Sequence, residues 1–266
     1  MRWPRRAYPE VRSRAQGTVS GVLILLPPSE GKAAAPRRGS PVDLDQLTVP
    51  GLRAAREAVL DDLVKISVDP AAALETLGLS PGQVAEVERN TRLRDAPALP
   101  AGKLYTGVLY DALDLASLPA PAKRRAGKQL LIFSGLWGVV GLGDRIPPYR
   151  CSVGVRLPTV GPLAGHWKTA LAEPLRELDE SLVLDLRSSA YTPMWAPSNA
   201  VTVRVLHGGK VVSHFNKATK GRIVRALLLA GARPKTPAKL ADTLRELGYR
   251  VEVHRPHQLD VVVEAL

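Results

Sequence analysis

Cysteine is nearly absent from this sequence, with one residue, Cys151, in 266. A disulfide framework and any zinc site built from several thiolates are thereby excluded. Aromatic residues make up only 5%, so a platform on which single-stranded bases stack is not the first expectation. No stretch approaches the ~18 consecutive apolar residues of a membrane-spanning helix, and a membrane partner is not expected. Acids are outnumbered: 25 Asp and Glu stand against 37 Lys and Arg, for a formal net charge of +12. That balance favours polyanions as partners: nucleic acid, nucleotides or an anionic surface. What is present is ordinary for a globular chain, 45% apolar and 23% charged. The length allows a substantial core, so a chain disordered throughout is excluded.

Arg2, Arg5, Arg6, Arg12 and Arg14 precede the apolar run Gly21-Val22-Leu23-Ile24-Leu25-Leu26. The run is shorter than the roughly 7–15 residues of a secretory h-region, and Pro27-Pro28 ends it. It reads as a buried first strand over 22–26 behind a basic, disordered extension, residues 1–21. The cytoplasm is then the expected location. Leu52, Ala55, Val59, Leu63 and Ile66 recur at the helical period, and helix is expected over about 50–94, with Ser80 capping a second start at Pro81. Residues 129–133 and 181–186 read as buried strands, with helix over 166–178 between them. Residues 201–206 alternate as a half-buried strand, and Gly208-Gly209 turns them into a partner strand over 210–215. A basic helix over 216–231, another over about 237–247 ending at Gly248, and closing strands over 249–254 and 259–264 complete the pattern. The fold class is mixed α/β (α+β): one domain, 22–266, with a central mixed sheet surrounded by helices.

Four segments carry candidate chemistry. Loop 27–32 follows a buried strand, where open α/β sheets place ligands; it offers Ser29, Glu30 and the cation Lys32, without the glycine spacing of a P-loop. Gly107, between Tyr105 and Tyr110, reads as a close approach of backbone within buried packing. Ser134-Gly135 at the end of a strand offers turn amides suited to an anion, and Asp144, Arg145, Tyr149 and Arg150 follow on a proline-stiffened loop. Lys217, Lys220, Arg222 and Arg225 form a run with no acid among them. If Asn216 caps that helix, Lys217 sits in its first turn against the helix dipole, a cost that an anionic ligand offsets. The alternative for this run is a solvated basic face. His254, His257 and Asp260 are the nearest approach to a metal set, but Pro256 keeps the two histidines off one helix face. No metal or cofactor is expected. Cys151 reads as a buried inert thiol sooner than a redox centre.

Taken in order, these segments resemble the YaaA family of bacterial peroxide-stress proteins. The matching pieces are Leu23-Ile24-Leu25-Leu26-Pro27-Pro28-Ser29, Tyr105-Thr106-Gly107, Ser134-Gly135-Leu136-Trp137-Gly138, Asp144 with Pro148-Tyr149-Arg150, Trp167, residues 186–191 and residues 213–225. There are departures: Gly141-Leu142 stand where the family often has Arg-Pro, Ser152 where it often has an acid, and Asp185 or Arg187 where an Asn falls. The first loop reads Pro-Pro-Ser-Glu-Gly-Lys instead of Ser-Pro-Ala-Lys. The family also begins at the first strand, so residues 1–21 are expected to be an added start, with Val22 the initiation point and native mass spectrometry the check. The resemblance implies a positively charged cleft, a helix-hairpin-helix-like element, DNA binding and a cytosolic role in limiting peroxide damage. Val49-Pro50-Gly51-Leu52 and Leu79-Ser80-Pro81-Gly82-Gln83 are the two candidate hairpins, and both also fit plain helix starts.

The leading expectation is a non-enzymatic, sequence-tolerant DNA-binding protein whose Lys32, Arg145, Arg150, Lys217, Lys220, Arg222 and Arg225 contact phosphates. The competing one is an enzyme on a small anionic or nucleotide-like substrate, with Ser29, Ser134, Asp144, Tyr149 and Lys217 as catalytic candidates. Convergence of Ser29, Ser134, Arg150 and Lys217 on one deep pocket favours the second; cations spread along an open groove favour the first.

Overall fold

In the computed structural model the described residues are 21–207, 210–211 and 213–263. The expected basic extension lies outside them apart from Gly21. The strands are β1 (Leu23–Leu26), β2 (Leu99–Pro100), β3 (Leu130–Ser134), β4 (Gly138–Gly141), β5 (Arg145–Ile146), β6 (Arg156–Leu157), β7 (Gly161–Pro162), β8 (Val183–Asp185), β9 (Ala200–His207), β10 (Lys210–Val211), β11 (Arg250–Arg255) and β12 (Gln258–Val262). The main sheet runs β11-β12-β9-β8-β1-β3-β4, with β10 paired to β9. β12, β9, β8, β1 and β3 are parallel in succession, and β4 and β11 close the two ends antiparallel. The fold is therefore mixed α/β around a central mixed sheet.

Burial explains the sequence character of each strand. β1 and β3 are buried at every residue, as continuous apolar runs in a covered parallel sheet should be. β9 alternates buried and half-buried residues, matching its alternating sequence. Taking the five parallel strands in chain order, their spatial order is 2-1-3-4-5, with the direction of winding reversing between β1 and β8. Ligands in such sheets sit beyond the carboxyl ends of the strands at that reversal.

The helices are α1 (Arg53–Ile66), α2 (Pro70–Leu77), α3 (Val84–Asn90), α4 (Ala101–Leu104), α5 (Val108–Leu113), α6 (Ala120–Gln129), α7 (Leu163–Ala172), α8 (Ser213–Ala230) and α9 (Pro237–Glu246). The expected helical region 50–94 is three helices. Asp69 caps α2 by accepting from the amides of Ala71 and Ala72, and Ser80 and Gln83 cap each other at the turn before α3. Both glycine-bearing turns singled out in the sequence are single 3₁₀ turns, Pro50–Leu52 and Pro81–Gln83, leading into α1 and α3.

Three helices were not anticipated: α4, α5 and α6. The first two are four and six residues long, too short to show a period. α6 buries only Ala122, Ala126 and Gln129, so it carries no apolar stripe. A further correction concerns 210–215. The β9–β10 hairpin forms, with Lys210 opposite His207, but the second strand is only Lys210–Val211 and α8 begins at Ser213. Asn216 therefore lies inside the helix and does not cap it, and Lys217 falls in the second turn, where the dipole penalty is weak. Residues 166–178 also divide: α7 runs from Leu163 to Ala172, and Arg176–Glu180 is a 3₁₀ turn. Among the described residues, no helix is long and apolar enough to cross a membrane.

Candidate functional site

Pro27 and Pro28 lack the amide hydrogens that would extend β1, and the chain turns there into loop 27–32. The loop is clamped against the start of α5. Lys32 pairs with Tyr105 as an isolated bridge, the Ala33 amide donates to the Leu104 carbonyl (2.8 Å), and Tyr110 donates its hydroxyl to the Pro27 carbonyl (2.7 Å). Ser29 accepts from the Thr106 amide (3.1 Å) and donates to the Gly31 carbonyl. Gly107 has φ +96°, and nothing lies within 4 Å of where its Cβ would be. Backbone conformation, not close packing, demands glycine there.

The loop forms one wall of a cavity of about 510 Å³, within the usual range for small-molecule sites. Residues 149–152 form a second wall, Ser188, Ala190 and Tyr191 a third, and Lys217 of α8 overhangs it. The first and third walls follow β1 and β8, the two strands at the winding reversal.

Lys32 is the cation on this surface whose pKa is shifted. Its Nζ donates to the carbonyls of Ser29 (2.9 Å) and Glu30 (3.4 Å), and stands 4.4 Å from the ring centre of Tyr149 and 5.7 Å from that of Tyr105. Burial first, and then the charge of Arg150, pull its pKa from 10.5 down to about 8. Arg150 is held through its backbone: its amide donates to Asn90 Oδ1 (2.9 Å) and its carbonyl accepts from Asn90 Nδ2 (2.8 Å). Its guanidinium lies 3.4 Å from the carboxylate of Glu30, whose side chain is 87% exposed.

Tyr149 connects this wall to a buried hydroxyl cluster. Ser134 Oγ accepts from the amides of Leu136 (3.2 Å) and Trp137 (2.9 Å), lies 2.7 Å from Tyr149 Oη, and Tyr149 in turn lies 2.9 Å from Tyr105 Oη. Ser134 is wholly buried behind the cavity, and the turn amides expected to cradle an anion bind its own hydroxyl. Gly135 is dictated by a close approach: a Cβ there would sit 2.6 Å from the Cys151 carbonyl. Burial holds the phenols of Tyr105, Tyr110 and Tyr149 well above their ordinary range, and pushes Tyr191 up to about 12.

Of the sequence candidates, Ser29, Lys32, Tyr149, Arg150 and Lys217 meet at the cavity. The others do not line it. Asp144 accepts from the Thr48 amide (2.8 Å), the Thr48 hydroxyl (2.9 Å) and the Gly141 amide (3.0 Å), closing the turn after β4; burial raises its pKa against those bonds. Arg145 donates to the Ala98 carbonyl. Lys220 is part-buried, with burial lowering its pKa and Asp185 opposing. Arg222 is exposed. Arg225 donates to the carbonyls of Leu113 (3.1 Å) and Asp114 (2.8 Å), joining α8 to the end of α5. That contact is tight, because a Cβ on Gly221 would lie 2.2 Å from the Leu109 carbonyl. The close crossing sets where Lys217 stands. In the His254–Asp260 grouping, Asp260 takes a bidentate pair from Arg204 (2.7 and 2.5 Å). Among the described residues no group of three or more His, Cys, Asp or Glu is arranged to hold a metal ion.

Sequence reasoning missed the pair that shapes the third wall. Arg187 donates to Asp185 through Nε (2.8 Å) and Nη2 (2.6 Å), and to the carbonyls of Tyr191 (3.2 Å) and Trp195 (2.6 Å). Its guanidinium also lies 4.2 Å from the ring centre of Phe133. The Asp-x-Arg spacing at the end of a buried strand was the available signal. Cys151 is on the cavity wall yet only 7% exposed, and burial pushes its thiol up to about 12. At neutral pH it is therefore a thiol, not the reactive thiolate. We expect native protein to resist a disulfide-exchange reagent and dilute peroxide at pH 7.5 over minutes, with labelling only on unfolding. Fast stoichiometric labelling of the folded protein contradicts this.

The chain is a mixed α/β domain with a cavity at the winding reversal of its central sheet. The chain belongs to the peroxide stress protein YaaA family, whose model matches residues 22–255. It is 58% identical over 257 residues to the UPF0246 protein SCO2297 of Streptomyces coelicolor, covering 91% of this chain and 98% of that protein. It is 42% identical over 253 residues to the UPF0246 protein CE1889 of Corynebacterium efficiens, covering 91% and 100%.

Proposed function

We propose that the chain meets the peroxide-stress role for which its family is named by holding a phosphate-bearing, nucleotide-like anion in this cavity. One observation carries the reading. Lys32, Arg150 and Lys217, far apart in sequence, surround one cavity whose described lining holds a single carboxylate, Glu30. Ser29, Ser152, Ser188 and Thr106 add hydrogen-bonding groups suited to phosphate and sugar oxygens. A volume of about 510 Å³ suits one nucleotide and excludes a duplex, so a small ligand, or one nucleotide extruded from a strand, fits better than a phosphate track.

DNA binding through backbone phosphates is the second reading, favoured by the net charge of +12 and by the exposure of Arg145 and Arg222. Thermal shift separates the two. Millimolar ribose 5-phosphate or adenosine 5′-monophosphate is expected to raise Tm by mass action, and Arg150→Ala and Lys217→Ala each to weaken that effect about tenfold. Duplex DNA that binds with a steep salt dependence, unaffected by saturating mononucleotide or by either variant, overturns the cavity reading in favour of a surface track.

A further inference from the structure

We infer that Lys32 is a reactive amine, forming an imine with a phosphorylated aldehyde or ketone whose phosphate is held by Arg150 and Lys217. The inference rests on the anion-binding reading of the cavity and adds the chemistry of its ligand.

The placement of Lys32 differs from that of an ordinary cation contact. Its amine is fixed by two backbone carbonyls and packed against two aromatic rings. The one carboxylate in the described cavity lining, Glu30, pairs with Arg150 instead. A lysine that is desolvated, beside a second cation and, among the described residues, in no ion pair is the arrangement that makes an amine nucleophilic near neutral pH, with the charge of Glu86 opposing the shift. The fall of its pKa to about 8 leaves a useful share of free amine at physiological pH. Lys217 lines the same cavity but is exposed on α8, which suits it to a phosphate and not to covalent chemistry.

The step balances without a further reactant. The neutral Nζ attacks the carbonyl carbon, a C–N bond forms, and the π pair moves to oxygen, which takes a proton to give a carbinolamine. Loss of that oxygen with the two amine hydrogens as water leaves the imine. No oxidant or reductant is consumed. Two sources present this chemistry: a free sugar phosphate, and the ring-opened sugar of an abasic nucleotide in DNA.

The full chain is incubated with ribose 5-phosphate, or with a duplex oligonucleotide carrying one abasic site, and sodium cyanoborohydride is added to trap imines. Intact mass and peptide mapping locate the adduct. We expect one adduct per chain on Lys32, formed at least tenfold faster than on any other lysine and suppressed by inorganic phosphate. The arm that reacts at the lower concentration identifies the source. Lys32→Arg is expected to lose the adduct while inorganic phosphate still raises its Tm. Adducts scattered over exposed lysines, or phosphate-free ribose reacting at Lys32 as fast as ribose 5-phosphate, overturn the inference. Absence of any phosphate-induced Tm shift in the unsubstituted protein is the separate result that removes the anion-binding reading.

Discussion

Methionine in place of Lys32 is expected to stabilise the fold while weakening phosphate binding. In the unfolded chain this amine titrates near 10.5, and in the folded chain near 8. Below pH 8 it is protonated in both states, and the cost of burying the ammonium is fully present. Between 8 and 10.5 the unfolded state holds more protons, so the stability of the unsubstituted protein climbs with pH across that window and levels off above it. A displacement of that size corresponds to roughly 3 kcal/mol. Loss of the two carbonyl contacts and the aromatic contacts offsets part of it. The expected net gain for Lys32→Met at pH 7 is about 1–2 kcal/mol, or about 3–6 °C in Tm. The same change removes a charge-assisted contact, so phosphate affinity should fall about 10–100-fold. Phosphate binding by the unsubstituted protein should decline above pH 8 as Lys32 loses its proton. The groups acting on that amine are Arg150 and Arg89, which lower its pKa, and Glu86 and Cys151, which raise it, with the Tyr105 and Tyr149 rings beneath. Denaturant melts and phosphate titrations between pH 6.5 and 9.5 test both effects. A destabilised Lys32→Met with phosphate affinity that does not change with pH contradicts the assignment.

The largest loss of stability is expected from Arg56→Met. The guanidinium of Arg56 is entirely buried and donates to the carbonyls of Trp137 (3.1 Å), Val49 (3.2 Å), Thr48 (2.6 Å) and Val139 (2.8 Å). It fastens α1 to β4 and to the turn that leads into α1. Among the described residues no carboxylate pairs with it; burial lowers its pKa to about 10, with the charge of Asp144 opposing, which still leaves it charged at neutral pH. Methionine fills much of the volume but takes the guanidinium donors from four carbonyls, of which that of Val49 still accepts from the Leu52 amide. A cost of about 3–5 kcal/mol follows. Arg56→Lys should recover little, because a point ammonium cannot serve four carbonyls that a planar fork spans. Equilibrium unfolding in urea with an unchanged slope is the measurement; a loss below about 1 kcal/mol would falsify the structural role given to this residue.

Much of the sheet was legible beforehand. Leu23–Leu26, Leu130–Ser134 and Val183–Asp185 are apolar runs because parallel strands are covered on both faces. The β9–β10 hairpin followed from alternation and a Gly-Gly pair. The loop after β1 stood out because it follows a buried strand and carries Ser29, Glu30 and Lys32. Other candidates have partners within the fold that the sequence did not reveal. Ser134 and Asp144 read as catalytic groups, yet their polar atoms are consumed by nearby amides and hydroxyls. Arg225 read as a phosphate contact, yet it ties two helices together. A side chain's partners are set by what arrives from distant segments, and one-dimensional spacing carries no record of that.

The sequence by itself determined the strand character, the helix start at Ser80, the surplus of positive charge and the family, because each depends on local periodicity, capping chemistry or composition. Only the tertiary structure decided which cations share a cavity, because the 2-1-3-4-5 order of the parallel strands and the crossing of α8 over α5 at Gly221 bring residues 32, 150 and 217 together while leaving 145, 222 and 225 elsewhere.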